Sequence, residues 1–170
     1  KLTDLKKINP DLKVLVSVGG WGWSGRFSDA ALSDSSRSRF ALSVAQFIRD
    51  YELDGIDIDW EYPNQPGAGN TYRPEDVHNF TLLLECIRKN IDSLAREEKR
   101  VKPYLLTIAT GGDSVYVANT ELGALSHYVD YINIMSYDLH NGLTYQAGHH
   151  SNLFVSSSDA PNGDATDRAV

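Results

Sequence analysis

Apolar residues recur along this chain in two rhythms, one helical and one extended. Over residues 2–8, Leu2, Leu5 and Ile8 keep helical spacing, and the pattern stops at Asn9-Pro10 because proline disfavours helix for the residue before it. This reads as the end of a helix that began upstream. Residues 13–18 follow as a continuous β-branched run closing on Gly19-Gly20, the pattern of a parallel strand covered on both faces. A loop rich in glycine and aromatics spans 19–29. Ser33 or Asp34 can cap the next helix, which runs to about Tyr51 with Phe40, Val44, Phe47 and Ile48 on one stripe.

Residues 53–63 change the rhythm to strict alternation. In a strand, Ile56, Ile58 and Trp60 point one way while Asp57, Asp59 and Glu61 point the other. A loop at 64–72 carries Pro66, Gly67 and Gly69. From near Pro74 a long helix is predicted, with Val77, Phe80, Leu83, Leu84, Ile87, Ile91 and Leu94 as its buried stripe. A strand at 105–109, a short helix at 122–125 and a strand at 129–135 complete the regular pattern. Beyond Leu139 the chain reads as polar loop through Ser156-Ser157-Ser158 and Pro161-Asn162-Gly163, with a further helix over 164–170.

Strands alternating with helices imply an α/β fold, with parallel strands joined by right-handed crossovers. The glycine-rich and acidic clusters all fall at the C-terminal ends of strands, where doubly wound sheets and (β/α)8 barrels place their sites. Four strands cannot close a barrel.

Composition narrows the function classes. With 41% hydrophobic residues the chain can bury a core, and its net charge of −7 is spread as mixed-sign surface. No basic stripe points to nucleic acid and no apolar run is long enough for a membrane span. A neutral or weakly cationic small molecule or polymer is the partner this surface suits. The single cysteine, Cys86, forbids an internal disulfide and reads as a small buried hydrophobe. The sequon Asn79-Phe80-Thr81 lies on a predicted helix, so it reads as a chance match.

Three carboxylates on one face of a strand add nothing to folding, because like charges repel and a buried carboxylate is costly unless paired or protonated. Three explanations stand: acid-base chemistry with one carboxyl held protonated by its neighbours, a divalent metal, or a structural hydrogen-bond network. No histidine has ligand-like spacing from the row, and His149-His150 lie far along the chain, so no metal or other cofactor is expected. Trp21 and Trp23 offer flat apolar faces of the kind that grip sugar rings, or alternatively plug a barrel rim.

The run Asp54-Gly55-Ile56-Asp57-Ile58-Asp59-Trp60-Glu61-Tyr62-Pro63 resembles the signature of glycoside hydrolase family 18, the chitinases and their relatives. Two further motifs agree in order. Ser17-Val18-Gly19-Gly20-Trp21 resembles the family's Ser-x-Gly-Gly motif on the third barrel strand, and Met135-Ser136-Tyr137-Asp138 its Met-x-Tyr-Asp motif on the sixth.

The resemblance implies a TIM barrel of which residues 1–170 supply strands three to six, a partial catalytic domain incomplete at both ends. It implies a hydrolase of chitin or N-acetylglucosamine oligosaccharides. Glu61 would be the acid, Asp59 the group that charge-stabilises the substrate's acetamido group, Asp57 its proton-sharing neighbour, and Tyr137 a hydrogen-bond partner of the same acetamido group. Ser17 would support Asp57 and, with Trp21, Tyr62, Met135 and Asp138, belong to the substrate-binding set; Asp54 would be structural. A secreted, extracellular protein is implied as well. A chitin-binding lectin that has lost catalysis is the less expected reading, since such relatives commonly lose the last acid of the row, which is present here. Cleavage of the chitobiose core of N-glycans is a further alternative.

Overall fold

The computed structural model describes residues 2–142, 144, 145, 147–156 and 165–170. A 3-10 helix, Leu2–Lys7, precedes β1 (Leu15–Gly19), α1 (Phe27–Ala31), α2 (Asp34–Tyr51), β2 (Gly55–Asp59), α3 (Asp76–Glu97), β3 (Leu105–Thr110), α4 (Ser114–Ala118), α5 (Leu122–Leu125), β4 (Tyr131–Ile134) and α6 (Thr166–Ala169). The four strands form one parallel sheet in the order β1-β2-β3-β4. This is the predicted α/β architecture. The loop expected through Pro161-Asn162-Gly163, and Ser157-Ser158 before it, fall outside the described residues.

The long helices form where the pattern placed them. Ser33 caps α2 reciprocally: its hydroxyl accepts from the Ser36 amide at 3.2 Å while the Ser36 hydroxyl accepts from the Ser33 amide at 3.0 Å. Helix α3 starts two residues after Pro74, and the buried Asp76 carboxylate takes the Arg73 amide at 2.8 Å and the Ser28 hydroxyl at 2.6 Å. Its stripe Phe80, Leu83, Leu84, Ile87, Ile91 and Leu94 packs with Ile48, Ile56, Ile58, Leu106 and Ile108 in one core. Trp60, just past β2, is fully buried there, stacked on Phe27 at 5.5 Å and edge-on to Phe80 at 5.3 Å. Cys86 is half-buried against this core. Asn79 is buried within α3 and accepts from the Arg37 guanidinium at 3.3 Å, so the sequon is not on offer to a glycosyltransferase in the folded chain.

Several expectations are corrected. The first helix is 3-10, with Leu2, Leu5 and Ile8 exposed. Strand β1 is not covered on both faces: it is an edge of the sheet and none of its residues is fully buried. The opposite edge, β4, exposes Tyr131 and Ile132. Helix α1 begins inside the stretch read as loop and α4 falls where no element was predicted, because five residues carry too little periodicity to show. Strand β2 ends at Asp59, before Glu61, although the predicted sidedness of the row persists through Glu61.

The two ends of β2 differ sharply. At its N-terminal end Asp54 is 3% exposed. The Lys6 ammonium reaches its two oxygens at 2.9 and 2.8 Å, the Val14 amide donates at 2.9 Å and the Arg100 guanidinium lies at 3.5 Å. Burial, the largest influence, pushes the Asp54 carboxyl up, but Lys6, the Val14 amide and Lys13 together hold it below its ordinary value. Asp54 is a structural residue, as its position implied. The acidic row lies toward the other end.

Candidate active site

Parallel register brings the row together with its supports. Asp57 pairs in register with Ser17 on β1 and Thr107 on β3. The Ser17 hydroxyl donates to its carboxylate at 2.7 Å, the Thr107 hydroxyl at 2.5 Å and the Asn133 amide of β4 at 3.3 Å. Asp57 is thus fixed from all three other strands.

Asp59 and Glu61 have no comparable set of donors. Burial raises the Asp59 carboxyl above its ordinary value, the Asp57 charge raises it further, and a hydrogen bond with Glu61 opposes them. Asp59 Oδ1 is buried with no hydrogen-bond partner among the described residues. Glu61 is also raised, first by burial and then by the Asp59 charge, with the Tyr62 hydroxyl working the other way and Asp138 adding to the rise. The Asp59–Glu61 bond lowers the former and raises the latter, the directions expected when Glu61 donates to Asp59. Burial and the Glu61 charge push the Tyr62 phenol far above its usual range, so it stays protonated and donates to Glu61.

The chain bends around this pair at Gly19 and Gly20, which have φ of 118° and 92°. A Cβ on Gly19 would lie 2.0 Å from the Asp59 carbonyl oxygen, so only glycine fits. Beyond the bend, Trp21 and Trp23 part company. Trp21, 51% exposed, lines a cleft of about 570 Å³ and sits 6.4 Å from the Tyr62 ring. Trp23 is 87% exposed and outside that lining.

Asp59, Glu61 and Tyr62 form one side of the cleft, and Met135, Tyr137 and Asp138 line it as well. The Tyr137 phenol is raised by burial and by the charges of the acids around it, Asp59 foremost. Asp57 and Ser17 lie outside the lining, and Ser17 instead borders a separate apolar groove beside β1. Thr107 and Asn133 were not singled out from the sequence, although each is a polar residue within a mostly apolar strand. Ser24, whose buried hydroxyl accepts from the Glu61 amide at 2.9 Å, and the cleft residues Gly112, Asp113 and Asn141 were also missed.

Among the described residues no group of three His, Cys, Asp or Glu side chains is placed to hold a metal ion. What the arrangement offers is a carboxyl that keeps its proton above the ordinary carboxylate range, beside a second, half-buried carboxyl, in a cleft of small-ligand size.

The sequence profile of the glycosyl hydrolases family 18 matches residues 1–169. Chitinase A1 of Niallia circulans is 47% identical over 154 residues, which are 90% of this chain and 22% of that protein. Among solved structures, a glycoside hydrolase family 18 N-acetylglucosaminidase from Paenibacillus barengoltzii superposes with a TM-score of 0.93 at 40% identity, covering 99% of this chain and 48% of that one. A chitinase from Bacillus thuringiensis gives 0.92 at 44% identity, covering 99% and 27%. The chain spans less than half the length of each of these relatives, and its four parallel strands match part of their TIM barrel. Acid row, fold and sequence profile agree: the chain belongs to the glycosyl hydrolases family 18.

Proposed function

We propose that the protein hydrolyses β-1,4-linked N-acetylglucosamine polymers, chitin or chito-oligosaccharides, by a substrate-assisted retaining mechanism, and that it does so within a complete barrel to which these four strands contribute. The open edges of β1 and β4 and the greater length of the relatives support the second part. Work on a solid polymer would place the enzyme outside the cell.

The observation that carries the reading is the Asp59–Glu61 pair, a half-buried and a buried carboxyl lining one cleft, each raised by burial and by a neighbouring acid so that Glu61 keeps a proton to higher pH than an ordinary carboxyl. Glu61 gives that proton to the glycosidic oxygen as the bond to the anomeric carbon breaks. The carbonyl oxygen of the sugar's own acetamido group attacks the same carbon from the other side, forming an oxazolinium ion. Family 18 departs in this from the scheme in which an enzyme carboxylate is the nucleophile. Positive charge develops on the acetamido group, where the Asp59 carboxylate stabilises it and the Tyr137 hydroxyl holds the carbonyl oxygen. Water then returns to the anomeric carbon, with Glu61 taking its proton, and the configuration is retained. Asp57, tied to β1, β3 and β4, supplies the charge beside Asp59.

Glu61→Gln keeps the shape of the side chain and removes the acid. Turnover of a chromogenic chitobioside is expected to fall by about 10² to 10⁴, with binding of the sugar kept. Unchanged turnover would sink the proposal, and binding without release of chromophore by the parent protein would favour a lectin.

A further inference from the structure

The backbone that carries Glu61 has left the sheet. The last rung between β1 and β2 is Gly19 with Asp59, and that between β2 and β3 is Ile58 with Ile108. Past Asp59 no strand offers a carbonyl to the Glu61 amide, and a buried amide without an acceptor is destabilising. Ser24 supplies the acceptor. Its hydroxyl oxygen takes the Glu61 amide at 2.9 Å and lies 2.9 Å from the Gly20 carbonyl and 3.0 Å from the Asp59 carbonyl, between which its one proton is shared.

We propose that Ser24 is a positioning residue for the acid, replacing the missing rung of the sheet so that the Glu61 carboxyl stays against Asp59. The inference rests on the functional reading above. Ser24 is itself held: it is fully buried, the Trp23 amide before it bonds the Gly20 carbonyl at 3.1 Å, and its own carbonyl accepts from the Phe27 amide at 3.2 Å as α1 begins. Phe27 stacks on Trp60, the residue immediately before Glu61. The Gly-Gly-Trp loop and the acid are therefore tied through one oxygen atom, which also touches the carbonyl of Asp59. No other hydroxyl contacts the Glu61 amide among the described residues.

The test compares the full-length gene product with its Ser24→Ala form, following chitobioside turnover against pH. Misplacing a reacting group by about 1 Å can cost about 10²-fold. The expected result is a fall in kcat of about 10- to 100-fold with KM within about twofold. The alkaline limb of the pH profile should also move to lower pH, because a Glu61 released from Asp59 reverts toward an ordinary carboxyl. If Ser24→Ala does not fold, Ser24→Cys keeps nearly the same volume with a much weaker acceptor, and the same losses are expected. Retention of the parent kcat, or a fall in kcat with the alkaline limb unmoved, would overturn the positioning role and leave the functional reading intact. A parent protein without turnover would overturn both.

Discussion

The two ends of β2 bury carboxyls and treat them in opposite ways. Asp54, 3% exposed, is met by two cations and a backbone amide, and it is held below its ordinary value. Glu61, 9% exposed, is met by Asp59, Asp138 and one tyrosine hydroxyl, and it is held above. Nothing in the local sequence forces this, since the two acids lie seven residues apart in one run. The difference is one of surroundings. A carboxylate that serves the fold is given donors enough to stay ionised, whereas one that must deliver a proton is denied them. Within the row the same division recurs on a finer scale: Asp57 receives three donors, while Asp59 keeps one oxygen with none.

The contrast predicts that changes at the C-terminal end of β2 act on rate and changes at the other end act on stability. After Glu61→Gln, the largest effect on rate is expected from Asp59→Asn, which keeps the size of the side chain and its capacity to hydrogen-bond Glu61 but removes the charge that the proposed mechanism sets against the acetamido group. Loss of one such electrostatic group costs about 10² to 10³ in kcat. Steady-state kinetics on a chromogenic chitobioside should show that fall with the denaturation midpoint little changed. Full activity in this variant would mean that the row acts through Glu61 alone.

Asp54→Asn is expected to do the reverse, lowering stability by about 2 kcal/mol as Lys6 and Arg100 lose their buried partner. The kcat of the folded protein should stay at the parent value. The sign with pH follows from the depressed carboxyl: Asp54 stabilises the fold above its unfolded value, near the ordinary 3.8, and that contribution is lost as pH falls through the folded value. Denaturant midpoints of parent and variant should therefore converge in strong acid. A variant as stable as the parent at neutral pH would place Asp54 outside the folding balance.

Much of this division was legible before the structure. Alternation over 53–63 is a local signal, and it placed Ile56, Ile58 and Trp60 in the core and the three acids on the other face. The stripe of α3 was equally local, and so was that of α2 except at Phe47, which the structure leaves exposed. The supports were not. Thr107 and Asn133 reach Asp57 only once the register of strands 50 and 76 residues away is fixed, and Ser24 meets Glu61 across 37 residues. Trp21 and Trp23 look alike in sequence, and only the course of the loop after Gly20 separates the ring that lines the cleft from the one that does not. Helix α1 exists because Phe27 finds Trp60, a contact that no window of the sequence contains.

The smallest expected effect is also the most direct measure of the contrast, because it reads the stability of the active-site end as Asp54→Asn reads that of the other. A carboxyl raised in the folded state binds its proton more tightly there than in the unfolded chain. Stability is therefore full below the unfolded value, near 4.5 for Glu61, and declines as pH rises through the folded value. Glu61→Gln has no proton to lose, so it escapes that decline. Its thermal midpoint should lie above the parent's at neutral pH, and the gap should close as pH is lowered toward about 4, the opposite trend in sign to the Asp54 series. Thermal melts of the two proteins from about pH 4 to 8 would show it. A Glu61→Gln protein less stable than the parent at neutral pH would mean that the fold stabilises Glu61 as a carboxylate, and the two ends of β2 would then differ in position but not in kind.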